Sequence, residues 1–139
     1  MRFLILISTI ALFCSCSDDN ELSDTIVGSW RLSSLGINSC PDSSDNVATA
    51  NADAAGCLTL NGTMVCQNVI FNANGTGVNT SITDGVTMSQ DITYTVNNEN
   101  NSVTTCDDNN NCNTFSVDGG SFSLSLPFGD CTINSNYVQ

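Results

Sequence analysis

Ten consecutive residues restrict the fold of this chain more than any others: Cys57-Leu-Thr-Leu-Asn61-Gly62-Thr-Met-Val-Cys66. Asn-Gly at the centre favours a two-residue type I′ turn, whose twist matches that of the strands on either side. With that turn Leu60 faces Thr63, and counting outward Cys57 faces Cys66. That position is a non-hydrogen-bonded pair, where side chains approach most closely. The segment therefore predicts a disulfide-closed β-hairpin and commits its surroundings to antiparallel sheet. Cys106 and Cys112 flank Asp-Asp-Asn-Asn-Asn, a polar loop suited to closing a second hairpin.

Which cysteines are left to pair depends on the start of the chain. Arg2 precedes an apolar run from Phe3 to Phe13, then Ser15-Cys16 and an acidic stretch. A membrane-spanning helix needs about 20 apolar residues, so this run is too short to span. A charged start, a short apolar run and a small residue before a cut describe an export signal. Ser15 before Cys16 is small enough for a signal peptidase; Phe13 before Cys14 is not. The pattern resembles a bacterial lipoprotein signal, which implies removal of residues 1–15 and acylation of Cys16, palmitate included. Two or more acyl chains anchor stably where one does not, so the membrane is the first expected partner. Ser17-Asp18-Asp19-Asn20-Glu21 resembles the acidic export signal of Gram-negative lipoproteins destined for the outer leaflet of the outer membrane. The expected address is thus a lipid-anchored, surface-exposed position in the cell envelope. On composition alone the same run reads as a flexible acidic tether. The division expected is signal peptide 1–15, acylated tether 16–25 and one β domain 26–139.

Setting Cys14 and Cys16 aside leaves Cys40, Cys57, Cys66, Cys106, Cys112 and Cys131. An even count behind an export signal reads as three disulfides. Six cysteines allow fifteen pairings. The two turns assign Cys57–Cys66 and Cys106–Cys112, so Cys40–Cys131 remains to tie the start of the domain to its end. By chain entropy the short loops contribute about 2.5 kcal/mol each and the long one about 4.5 kcal/mol.

With no histidine in the chain and no CxxC pair, no zinc or cluster site is expected. Asp107-Asp108-Asn109-Asn110-Asn111 offers oxygen ligands but lacks the glycine and distal glutamate of a calcium loop; it reads as a solvated hairpin tip. Behind the signal Arg31 is the only cation against 14 acidic residues, which excludes affinity for a phosphate backbone. The usual triad base and Schiff-base lysine are missing. Carboxylate pairs such as Asp84 and Asp91 have no spacing that singles them out for glycoside hydrolysis. The expected chemistry is binding rather than catalysis, with no cofactor.

Strand-like segments recur between Asn-Gly, Asp-Gly and Gly-Gly turns. They run over 26–35, 57–60, 64–71, 78–82, 92–96, 102–106, 114–117, 122–126 and 131–138. Ile92, Tyr94 and Val96, and Phe122, Leu124 and Leu126, alternate with polar residues as half-buried strands do. Residues 39–56 read as a long loop, with a short helical turn around Val47 to Ala55. The prediction is all-β: a small antiparallel barrel or meander of about eight short strands.

Val27-Gly28-Ser29-Trp30-Arg31-Leu32 looks like the opening GxW strand of lipocalin-like domains. Phe71-Asn-Ala-Asn74-Gly75-Thr76-Gly77 resembles the F-x-x-x-G-T-G hairpin of bacterial lipocalin-like lipoproteins. The resemblance implies an eight-stranded up-and-down barrel with structural roles for Gly28 and Trp30. It also implies Trp30 across the closed end, Arg31 over the indole as a cation–π partner, and a small apolar or amphipathic ligand. A barrel of this size either fills its interior or holds one small ligand. A filled barrel would instead make the protein a surface interaction or inhibitor module, with residues 39–56 and 107–111 as its loops. Asp24-Thr25-Ile26 resembles the Asp-Ser/Thr-aliphatic acceptor of bacterial O-glycosylation, with Thr25 as the modified residue. Asn61-Gly-Thr is read as turn composition.

Overall fold

The Asn61–Gly62 turn has φ of 50° and 86°, both positive as a type I′ turn requires. Around it Leu60 stands opposite Thr63 and Cys57 opposite Cys66. The rest of the domain extends this antiparallel pattern. The computed structural model describes residues 22–139. The expected signal segment, the expected acylation site Cys16 and the acidic run behind it lie outside the described residues.

A short helix α1 (Leu22–Ile26) leads into ten strands: β1 (Gly28–Asn38), β2 (Val47–Asn51), β3 (Cys57–Leu60), β4 (Thr63–Phe71), β5 (Thr76–Thr83), β6 (Val86–Asn97), β7 (Ser102–Asp107), β8 (Cys112–Asp118), β9 (Ser121–Phe128) and β10 (Cys131–Val138). From β4 to β10 each strand pairs antiparallel with the next, and β10 pairs with β1. The first residues of β1, Gly28 to Arg31, pair with Asn68 to Phe71 of β4 and close an eight-stranded barrel. Beyond Arg31 the two strands part. β2 pairs with the far half of β1, opposite Ser34 to Ile37, and β3 with the near half of β4. The widening gap in the wall is thus lined by two extra strands.

Two expectations need correction. Residues 47–51 form a strand, not part of a helical turn. Once β4 has diverged, the far half of β1 has an unpaired edge, and β2 satisfies those backbone groups while setting Ala50 opposite Leu35. The domain also begins before residue 26. Leu22 and Ile26, one helical turn apart, share a face and are both buried, so the end of the expected tether belongs to the core.

In such a meander alternate turns fall at opposite ends. Turns 72–75, 98–101 and 119–120 share one end with α1. Turns 61–62, 84–85, 108–111 and 129–130 share the other with segment 39–46. Trp30 plugs the first end. It is 0% exposed, with its ring centroid 5.2 Å from that of Phe122, and its indole N–H donates to the Ile26 carbonyl at 2.7 Å. Phe122 stacks on Phe115 and Tyr137 at 4.4 and 4.7 Å, and Phe71 meets Tyr94 edge-on at 5.0 Å. A β-bulge between Leu32 and Ser34 lets Leu32 and Leu35, three residues apart, both enter the core.

All three expected disulfides are present, with Cα–Cα distances of 4.2 Å for Cys40–Cys131, 4.0 Å for Cys57–Cys66 and 4.1 Å for Cys106–Cys112. Every one lies in the half of the barrel away from Trp30.

Candidate functional site

Above the aromatic layer the barrel interior is not filled. A cavity of about 180 Å³ opens at the end opposite Trp30. Its floor is the top of the aromatic cluster, Phe71, Phe115, Phe122 and Tyr137, and its apolar sides are Val69, Ile92, Leu124 and Leu126. Its polar lining is Asn79, Gln90, Thr105, Asp107, Asn111 and Asn113.

Strand register explains the division. Residues opposite each other share a face of the sheet. Val69 stands opposite Asn79, Asn79 opposite Gln90, Ile92 opposite Asp107 and Thr105 opposite Asn113. Above the aromatic layer the inward row is therefore polar along β5 to β8 except at Ile92, and apolar on β9, where Leu124 and Leu126 enter.

The wall is also incomplete in two places. β8 and β9 pair only at Val117↔Phe122 and Asp118↔Ser121, so above that short rung the strands separate and the cavity reaches the seam. β6 pairs with β7 only from Ile92 onward, which leaves residues 86–91 overhanging the mouth. On that arm Val86 and Met88 are 64% and 68% exposed, on the same face as Gln90.

Asp107 organises the rim. Its Oδ1 accepts from the backbone N–H groups of Asn109 at 2.9 Å and Asn111 at 2.8 Å. Its Oδ2 accepts from Asn111 Nδ2 at 2.9 Å and Gln90 Nε2 at 3.4 Å. Side-chain and backbone hydrogen bonds from Asn111, with smaller ones from Asn109 and Gln90, hold its carboxyl below the usual carboxylate range. Asn79 Oδ1 is the one buried side-chain polar atom without a hydrogen-bond partner among the described residues. The Tyr137 hydroxyl donates to Gln67 Oε1 at 2.7 Å, and burial pushes the phenol up to about 12.

The other residues singled out in the sequence fall elsewhere. Gly28 has φ of 139°, and a Cβ there would lie 2.8 Å from Gln139 Nε2. That amide donates to the Val27 carbonyl at 3.1 Å and the Thr25 carbonyl at 3.4 Å, so Gly28 leaves room for the clamp on α1. Thr25 is half-buried on that helix. Arg31 does not cover the indole: neighbouring strand residues face opposite ways, and with Trp30 inside, the Cβ of Arg31 lies beside Gly56 on the outer surface. Asp84 sits in the β5–β6 turn and accepts from the Met64 N–H at 3.1 Å. Asp91 is exposed on β6 opposite Val78, so the pair shares no site. Of the two loops considered for interaction, 107–111 forms part of the rim, and 39–56 is largely replaced by β2 and its flanking turns.

Sequence reasoning missed Asn79, Gln90 and Asn113. A scan of protein-family models, a search of curated proteins and a search of solved structures each return no match for this chain.

Proposed function

We propose that this chain is a lipid-anchored envelope protein of lipocalin-like type that binds a small apolar or amphipathic ligand in the open end of its barrel. The observation that carries this reading is the cavity of about 180 Å³, which has an aromatic floor and a polar rim. Convergence of a few polar groups over an apolar surface is the usual make-up of a small-molecule site. An apolar cavity of about 150 Å³ suffices for one benzene ring, so the ligand body is of that order. The GxW strand, the hairpin at Phe71 to Gly77 and the Ser15-Cys16 signal support the same reading. Acylation of Cys16 attaches the domain to the outer membrane, and the acidic residues behind it favour the cell surface. The chemistry is retention, not turnover. A filled barrel acting as a protein-interaction module is the rival, and the unfilled upper interior argues against it.

Native mass spectrometry of the protein purified from its own membrane tests the reading. The expected result is a diacyl or triacyl mass increment on the peptide beginning at Cys16, together with a small molecule released on denaturation. Recovery of a bare barrel with a stoichiometric protein partner overturns the ligand reading, and an unmodified Cys16 overturns the anchor.

A further inference from the structure

We propose that the cavity selects a small primary amine, with its apolar body on the Phe71–Phe115–Phe122 floor and its ammonium group at the Asn79–Gln90–Asn111 rim. This inference rests on the cavity reading above and adds the chemistry of the head group.

The rim is rich in acceptors, one of them a carboxylate. Asp107 engages the side-chain amide nitrogens of Gln90 and Asn111, and each of its oxygens already accepts two hydrogen bonds. The amide oxygens of Gln90 and Asn111, both exposed residues, accept no hydrogen bond within the described residues and are open to an arriving donor. Asn79 Oδ1 is buried and also accepts none. A buried acceptor left unpaired is costly, so the rim favours an occupant that brings hydrogen-bond donors. An ammonium group has three donors and no acceptor, and its charge-assisted bonds are roughly twice as strong as neutral ones.

Charge points the same way. An anionic head would face the Asp107 carboxylate with no cation in the lining to offset it. The chain has no histidine and no lysine, and Arg31 stands on the outer face of β1 beside Gly56. A formal net charge of −12 repels anions from the mouth and concentrates cations near it. The exposed Val86 and Met88 on the overhanging arm offer apolar contact to whatever extends past the rim.

The test uses three probes of nearly one size against the full chain at neutral pH, followed by saturation-transfer NMR titration. These are 2-phenylethylamine, propylbenzene and 3-phenylpropanoate. The amine is expected to bind about tenfold or more tighter than propylbenzene, a margin that one charge-assisted hydrogen bond supplies, with the carboxylate weakest. Asn79→Leu is expected to remove most of that margin, read as the ratio of amine to propylbenzene affinity, with Trp30 emission reporting that the barrel is folded. Asn79→Asp, which keeps the acceptor and adds charge, is expected to hold or raise amine affinity. Equal binding of amine and propylbenzene, or preference for the carboxylate, overturns the head-group inference and leaves the cavity reading standing. Loss of the amine in both variants overturns the role of Asn79. Binding of none of the three overturns the cavity reading and this one with it.

Discussion

At one end of the barrel Trp30, Phe71, Phe115, Phe122 and Tyr137 pack ring against ring, and α1 seals them from below. At the other end the inward row includes Asn79, Gln90, Thr105 and Asn113, and no such packing is available. That end holds all three disulfides instead. The contrast teaches how a domain this small keeps an open mouth. Burial stabilises only where apolar surface meets apolar surface. Where the interior is polar and partly empty, covalent links limit the unfolded ensemble and hold the strand ends in register.

Reducing the three disulfides has the largest expected effect. Chain entropy assigns them on the order of 9 kcal/mol together, comparable to the whole stability of a typical domain. The reduced chain is expected to lose Trp30 burial at 25 °C, read by a red shift of its emission; a reduced protein that keeps a blue emission and binds ligand breaks the contrast. Trp30→Ala comes next, at about 4 kcal/mol, read as a lower denaturant midpoint with the disulfides intact. A loss under about 1 kcal/mol would mean that the aromatic end is not the anchor of the fold.

Tyr137 sits where the two ends meet. Its folded pKa is raised to about 12, against an ordinary value of about 10. The stability it contributes is therefore complete below about pH 10 and is lost as pH rises towards about 12, by about 2–3 kcal/mol. Tyr137→Phe is expected to flatten that alkaline limb in a pH series of denaturant midpoints. Asn79→Leu should raise stability by about 1 kcal/mol, because it removes an unpaired buried acceptor, while weakening amine binding. A destabilised variant would mean that the orphaned oxygen is hydrated in the free protein. The smallest effect concerns Asp107, whose pKa is lowered in the folded state. Its contribution to the rim is present above its unfolded value of about 4 and is lost as pH falls through the folded one. Amine binding should be level from about pH 8 to about pH 5 and fall only below about pH 4.

Much of the closed end was legible in the sequence. Phe122 and Val117, Tyr94 and Val96 sit on alternating strands, and β10 runs over the predicted residues, Cys131–Val138. The turns Asn61–Gly62 and 107–111 carried two disulfides, and the third followed from what remained. The mouth was not legible, for a physical reason. On β5 the alternation is inverted: Val78 and Ile82 point outward, half-exposed, while Gly77, Asn79 and Ser81 line the lumen. Read alone, that strand looks like any half-buried strand with its faces exchanged. Only its register against Val69 and Phe71 of β4 reveals the polar side as the inner one. The signal was present as a strand whose inward residues are small or amide-bearing, but its meaning needed a partner strand. β2 was hidden because its reason to exist is the unpaired far half of β1, which arises only when the barrel closes. The bulge after Leu32 likewise hides Leu35, which a strict period of two from Trp30 and Leu32 would set on the outer face.

The placement of α1 also has a consequence for traffic. Leu22 is six residues from Cys16 along the chain, a reach of at most about 20 Å even when fully extended, and it enters the barrel at the Trp30 end. Under the proposed acylation, the bilayer lies beneath the sealed pole and the mouth looks away from it. A molecule dissolved among lipid tails would have to leave the membrane and travel around the barrel to be captured. A solute arriving from the surrounding medium meets the entrance directly.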